Sequence, residues 1–204
     1  MEKQMERENR QLRAAITDFT TREDGDSPII EGYFAVFNSD YVIDAGMSES
    51  IAPGAFTGSL NGDVRALTNH DSTLVLGRTT AATVTLRQDE IGLWARIAIN
   101  PKDGDAMNTW ARVQRRDVTQ CSIGFRIIRE ETEFREDGSV HWTIYEVELY
   151  EISVCTFPAY EATNISARTA QRDAMEARRL EVWKNDMKER IKHGTEGAAA
   201  EEAD

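Results

Sequence analysis

The sequence predicts an α+β domain: a small, mainly antiparallel β-barrel or half-open sheet with a few flanking helices and a helix at its C-terminus. Three observations carry that expectation. About six or seven short runs rich in β-branched and aromatic residues lie along residues 29–157. Turn signals separate them, the strongest being Glu136-Asp137-Gly138. Helical periodicity is confined to residues 101–116 and 167–192.

Taken in order, residues 1–14 (MEKQMERENRQLRA) combine strong helix formers and mixed charge with only Met1, Met5 and Leu12 as apolar anchors. They read as a helix-prone arm without a core-facing stripe. IIEGYFAVF at 29–37, bounded by Ser27-Pro28 and Asn38-Ser39, reads as a strand, and the polar residues 39–54 as a loop. Pro53-Gly54 then leads into AFTGSL, one or two helical turns. VRALTNH at 64–70, ATVTLRQD at 82–89 and LWARIAI at 93–99 read as hairpin-linked strands. Residues 101–116 open with Pro and Asp and set Met107, Trp110, Ala111 and Val113 near helical spacing. CSIGFRIIREE and VHWTIYEVELYEISVCTF flank the Asp-Gly tip as a long hairpin. Beyond Pro158 the pattern turns helical, with Met175, Leu180, Val182, Trp183, Met187 and Ile191 as the apolar stripe and His193-Gly194 as the stop. The expected organisation is an arm (1–14), a domain (15–166), a helix (167–193) and a disordered acidic tail (194–204).

Charge and cysteine content narrow the classes. Against 36 Asp and Glu stand 24 Lys and Arg, a net charge of −12 that repels phosphate backbones, so no nucleic-acid partner is expected. No apolar window approaches the roughly 18 residues of a spanning helix, and the start is charged where a signal peptide is apolar. A soluble, intracellular protein without membrane contact is the expectation. Two cysteines make neither a disulfide framework nor a four-ligand zinc site. HxxH, HExxH and CxxC are missing, and Asp103-Gly-Asp105 lacks the rest of a calcium loop, so neither metal nor cofactor is expected. The acid is localised: residues 130–151 hold eight acids against Arg135 alone, and the last nine residues add four acids and no base.

Three histidines bound any imidazole chemistry. His193 suits a helix C-terminus and His141 a surface β position beside the hairpin turn. His70 ends a strand at Asn69-His70-Asp71, where a catalytic group can sit on a rigid support, although a structural histidine fits equally. Ser122 starts a strand in CSIGF with a glycine two residues on, which lets backbone amides approach a carbonyl; a buried small residue is the alternative. Cys121 alternates with Ile123, Phe125 and Ile127 and reads as inert packing. If residues 144–157 form one unbulged strand, Glu151 joins Tyr145, Val147, Leu149, Ser153, Cys155 and Phe157. A carboxylate in so apolar a row needs a partner: an imidazole, Arg126 or Arg129.

The motifs GYFAVFN (32–38), IAPGAF (51–56), VRALTNHD (64–71), LGRT (76–79), GLWARIAI (92–99), CSIGF (121–125) and YEISVCTFPAY (150–160) together resemble the prohead maturation serine proteases of tailed bacteriophages. The resemblance spans roughly residues 28–162, and its specificity lies in NHD, SIGF and EISxxxFPAY occurring in that order. It implies a barrel fold shared with the herpesvirus maturation protease, Ser122 as nucleophile, His70 as general base and Glu151 as third member. Herpesvirus proteases use a second histidine there, which leaves His141 as an alternative, and a bulge shifting the strand by one residue makes Glu148 another. The implied partners are the scaffold protein and the major capsid protein, cut inside the assembling procapsid in the host cytoplasm, together with the chain itself; a homo-oligomer is left open. The helix at 167–192 and its acidic tail look like a self-cleaved or partner-contacting appendage, or a plain solvated helix. The rival reading is a scaffolding or capsid-binding protein that keeps the fold and cleaves nothing.

Overall fold

The computed structural model describes residues 11–16, 19–24, 27–157 and 162–201. The chain divides into two units, Met1–Glu161 and Ala162–Asp204. In the first, the strands in chain order are β1 (Gln11–Ile16), β2 (Thr20–Asp24), β3 (Ser27–Val36), β4 (Tyr41–Asp44), β5 (Met47–Ile51), β6 (Arg65–Thr68), β7 (Asp71–Arg78), β8 (Val84–Gln88) and β9 (Gly92–Ala98). Helix α1 (Gly104–Gln114) follows, then β10 (Gln120–Phe134) and β11 (Val140–Cys155). The second unit is one helix, α2 (Ala162–Glu201).

The fold is α+β and mainly antiparallel, and among the described residues its sheets are not closed into the expected barrel. A seven-stranded sheet runs β1-β10-β11-β5-β4, with β6 also on β11 and β7 on β6; a four-stranded sheet runs β2-β3-β9-β8. The two are not hydrogen-bonded round into a closed surface. Their inner faces instead supply one core, with Ile30, Phe34, Leu93 and Ile97 from the small sheet and Ile123, Phe125, Ile152 and Val154 from the large one. The edge of β11 away from β10 is taken by two short parallel strands in tandem, β5 against residues 140–144 and β6 against 151–154. Between them the Ser59 hydroxyl donates to the Val147 carbonyl and accepts from Leu149 N–H, each at 2.9 Å, so the exposed strand edge is satisfied by a loop.

Several elements depart from expectation for reasons visible in the pairing. Residues 11–14, read as helix-prone arm, enter β1, because six backbone pairs with β10 outweigh a weak local propensity. The polar loop at 39–54 contains the β4–β5 hairpin, turning at Gly46 with φ 72°. AFTGSL forms successive turns rather than a helix, with Ala52, Gly54, Phe56 and Ser59 carbonyls each accepting three residues on. Residues 71–78 form β7, a strand not anticipated. Helix α2 passes through His193-Gly194 to Glu201, since an internal glycine costs only about 1 kcal/mol against flanking helix formers such as Ala198–Ala200. Residues 1–10 of the arm and 202–204 of the tail lie outside the described residues.

The anticipated helix is α1. Asp103 caps it, its Oδ1 accepting from Asp105 N–H at 3.0 Å and Ala106 N–H at 3.2 Å. Trp110 is buried from α1 into the core and donates its indole N–H to the Ile29 carbonyl at 3.2 Å, tying the helix to β3. Asp103→Ala is therefore expected to cost about 1 kcal/mol, a fall of about 2–4 °C in melting temperature by calorimetry. An unchanged melting temperature would show the cap to be replaceable by water.

The anticipated hairpin is the β10–β11 pair. Its tip turns at Gly138, φ 82°, with Asp137 Oδ1 accepting from Ser139 N–H at 2.9 Å. Its register slips once where it matters. Gly124 opposes Glu151, but the next residue, Phe125, opposes Leu149, so Tyr150 is an extra residue in β11. This bulge exchanges the two faces of β11. Val147 and Leu149 face the core before it, and Ile152 and Val154 after it.

Candidate active site

The β6–β7 hairpin is closed by two residues, Asn69 and His70, with φ of 51° and 61°. Positive φ at both central positions is what a type I′ turn demands, and asparagine followed by glycine is its preferred filling. Asn69 fits. His70 occupies the glycine position with a full side chain, at a conformational cost of about 1–2 kcal/mol. The surroundings hold it there. Asn69 N–H donates to the Val154 carbonyl at 2.9 Å, Asn69 Oδ1 accepts from Thr156 N–H at 2.8 Å, and Asp71 Oδ1 accepts from Thr73 N–H at 2.8 Å. His70 thus stands on the turn itself: β6 stops at Thr68, two residues short of the strand end at His70 expected from sequence.

Because of the bulge, Glu151, Ser153 and Cys155 project from the face of β11 opposite to Leu149 and Val147. The same face of β10 carries Ser122, paired with Ser153, and Gly124, paired with Glu151. The Glu151 side chain reaches the His70 ring, Oε1 to Nδ1 at 2.6 Å, and its other oxygen, Oε2, accepts from the Ser153 hydroxyl at 2.6 Å. His70 N–H donates to that hydroxyl at 3.3 Å. Glu151 is 2% exposed, Ser122 and Ser153 not at all. A buried carboxylate held this closely to an imidazole fixes the ring's orientation and leaves Nε2 as the nitrogen it does not engage.

Nε2 looks toward Cys155 Sγ at 3.7 Å, and Ser122 Oγ is buried without a hydrogen-bond partner among the described residues. Cys155 is no competing nucleophile. Burial first, and then the negative charge of Glu151, push its thiol up to about 12, a hydrogen bond from Asn69 N–H offsetting part of this. At pH 8 such a thiol is ionised in only about one molecule in ten thousand. Folded protein is expected to resist iodoacetamide at that pH and to take up label at Cys155 only when denatured, a contrast that peptide mass mapping reads directly. Rapid labelling of Cys155 in the native state would contradict this protonation.

The structure brings together His70, Glu151 and the strand face bearing Ser122. It does not bring the alternatives to them. Glu148 lies on the same sheet face but upstream of the bulge, where it is half exposed and pairs with Arg126, Oε2 to Nη2 at 2.7 Å, which holds its carboxyl below the usual range. His141 sits ten residues back along β11, roughly 33 Å at a strand's rise. Both its ring nitrogens are engaged, Nδ1 with Ser48 Oγ at 2.8 Å and Nε2 with Ser50 Oγ at 2.9 Å, so it is buried rather than a surface residue. Arg129 lies over the Tyr145 ring, 4.6 Å from its centroid, and Cys121 faces the core as expected. His193 falls where side chains lie outside the described residues. Among the described residues no three His, Cys, Asp or Glu side chains gather as a metal site, and no helix is long and apolar enough to cross a membrane. Sequence reasoning missed Ser153, although its spacing of two from Glu151 put both on one strand face.

Comparison with known proteins bears on the same region. The model of the caudovirus prohead serine protease family matches residues 17–178. The prohead protease of Enterobacteria phage HK97 is 32% identical over 174 residues, covering 83% of this chain and 73% of that protein. The solved capsid assembly protease of bacteriophage T4 aligns with a TM-score of 0.45 and 13% identity over 73% of this chain and 99% of that one. With the family match spanning most of its length, and His70, Ser122 and Glu151 inside it, the chain belongs to the caudovirus prohead serine proteases, the serine peptidases of phage capsid maturation.

Proposed function

We propose that this chain is an endopeptidase that cuts the scaffold protein, the scaffold-like N-terminal segment of the major capsid protein, or both, inside the assembling procapsid, and that it also cuts itself. Its triad is Ser122, His70 and Glu151. The observation that carries the reading is the buried 2.6 Å pair between His70 Nδ1 and Glu151 Oε1, on the sheet face that bears Ser122. The names of the relatives, a prohead protease and a capsid assembly protease, support the procapsid as the setting.

The chemistry follows from the pair. His70 Nε2 takes the Ser122 hydroxyl proton as Oγ attacks the peptide carbonyl, and Glu151 keeps Nδ1 protonated and stabilises the imidazolium that forms. The imidazolium then gives its proton to the leaving amine, and a water repeats the sequence on the acyl-serine. In the unliganded chain Nε2 contacts Cys155 Sγ, a weak partner that is readily given up. Catalytic hydrogen bonds often close only when substrate is bound. The exposed acids of the β10–β11 hairpin, Glu131, Glu133, Glu136 and Asp137 among them, favour a basic stretch of the substrate chain.

Coexpression with the cognate capsid and scaffold proteins tests the reading. Mass spectrometry is expected to find processed products with the parent chain and none with Ser122→Ala or His70→Ala. Processing that persists in both variants would remove the triad.

A further inference from the structure

Glu151 and His70 are held by one further side chain. Ser153 is fully buried, and its hydroxyl has one proton and two lone pairs to distribute. The proton goes to Glu151 Oε2 at 2.6 Å, and a lone pair accepts the His70 backbone N–H at 3.3 Å. Each carboxylate oxygen therefore has its own donor, Nδ1–H of His70 on Oε1 and the Ser153 hydroxyl on Oε2. The same hydroxyl reaches the peptide that carries the left-handed His70. It thus restrains the imidazole from both ends, through its backbone and through its carboxylate.

We propose that Ser153 is a positioning residue for the general base, resting on the triad reading above. Its work is geometric: it stops the Glu151 carboxylate from rotating about its terminal torsion, which is otherwise broad, and it pins the turn that carries the ring. Alanine removes the hydroxyl that donates to Glu151 Oε2 and accepts from His70 N–H. Threonine keeps the hydroxyl but forces a methyl into a site with no free surface.

The test compares Ser153→Ala and Ser153→Thr in the full chain, with kcat and KM measured on a peptide spanning a processing site mapped by coexpression. Ser153→Ala is expected to lose about 10–100-fold in kcat, the usual range for a residue that orients a reacting group, with KM unchanged. Ser153→Thr is expected to melt at least as low as Ser153→Ala yet keep most of the parent kcat, an order opposite to that set by stability. In a Ser122→Ala background, the low-field proton resonance of the His70–Glu151 hydrogen bond should be sharp, and it should broaden or disappear when Ser153→Ala is added. Parent kcat and an intact resonance in Ser153→Ala would overturn the proposal, as would a threonine variant that loses activity in step with its melting temperature. If Ser153→Ala does not fold, the threonine variant and its resonance decide. Cleavage surviving in Ser122→Ala alone would sink the triad, while the resonance would still report whether Ser153 holds the pair.

Discussion

Ser122→Ala is expected to lower the cleavage rate by roughly 10⁴-fold or more and, in the same protein, to raise the melting temperature. The two effects come from one atom. Ser122 Oγ is buried among strand residues with no hydrogen-bond partner among the described residues, so folding takes it out of bulk water without a protein partner in exchange. A desolvated hydroxyl of this kind costs about 1–3 kcal/mol, and alanine removes it while leaving the β10 backbone pairs with β1 and β11 in place. About 2–4 °C per kcal/mol is the conversion for a chain of this size. Calorimetry on parent and variant, with product formation followed in parallel, reads both effects. A variant that is inactive and also less stable would mean that the hydroxyl has a partner in solution, and the assignment of stored cost to the nucleophile would fall. Activity bought with stability is common where a reactive group is kept free of competing bonds.

Glu151→Gln is expected to cost about 10³–10⁴-fold in kcat with little change in KM. In the proposed triad the carboxylate accepts a hydrogen bond from Nδ1–H and leaves Nε2 free to take a proton from serine. A glutamine amide can present its NH₂ to Nδ1 instead, which moves the ring proton to Nε2 and closes the reacting nitrogen. Glu148→Gln is the matched control, three residues away on the same strand. Its pair with Arg126 is about half exposed on both sides, a setting in which an ion pair contributes about 0–1 kcal/mol, so its activity should stay within about twofold of the parent. Equal losses in both variants would mean that the activity depends on hairpin charge rather than on the imidazole's tautomer.

Legibility tracked the range of the interaction. The β10–β11 hairpin and the capped helix α1 were readable because an Asp-Gly turn and an Asp-led helical stripe are local signals. The inward face of Cys121 and the opposite face of Ser122 were readable from alternation alone, since β10 runs without a slip through residues 120–124. The parallel docking of β5 and β6 on β11 was not readable, because it joins segments about a hundred residues apart and leaves no local mark. The open arrangement of the two sheets was unreadable for the same reason. Glu151 is the instructive case. Unbulged counting selected it as the acid in an apolar row with Val147 and Leu149, and the selection landed on the one buried acid of the eight in residues 130–151. Glu151 nonetheless does not lie in that row, since Tyr150 inserts a step and turns it to the other face. His70 shows the converse: its position at the end of a strand was visible, but a type I′ turn filled by Asn-His carries no recognisable signature.

Tyr150 also makes β11 a matter of odd and even. Downstream of it, Ile152 and Val154 lie inward and Glu151, Ser153 and Cys155 outward; upstream, Val147 and Leu149 lie inward. A substitution in this strand changes one side chain, but a single-residue deletion between the two stretches would interchange core and active-site faces wholesale, whereas the loss of two residues would preserve them. Relatives of this chain should therefore tolerate substitution around Tyr150 far better than a change of length by one. Counting residues modulo two across this strand is a sharper criterion of a working enzyme than counting identities along it.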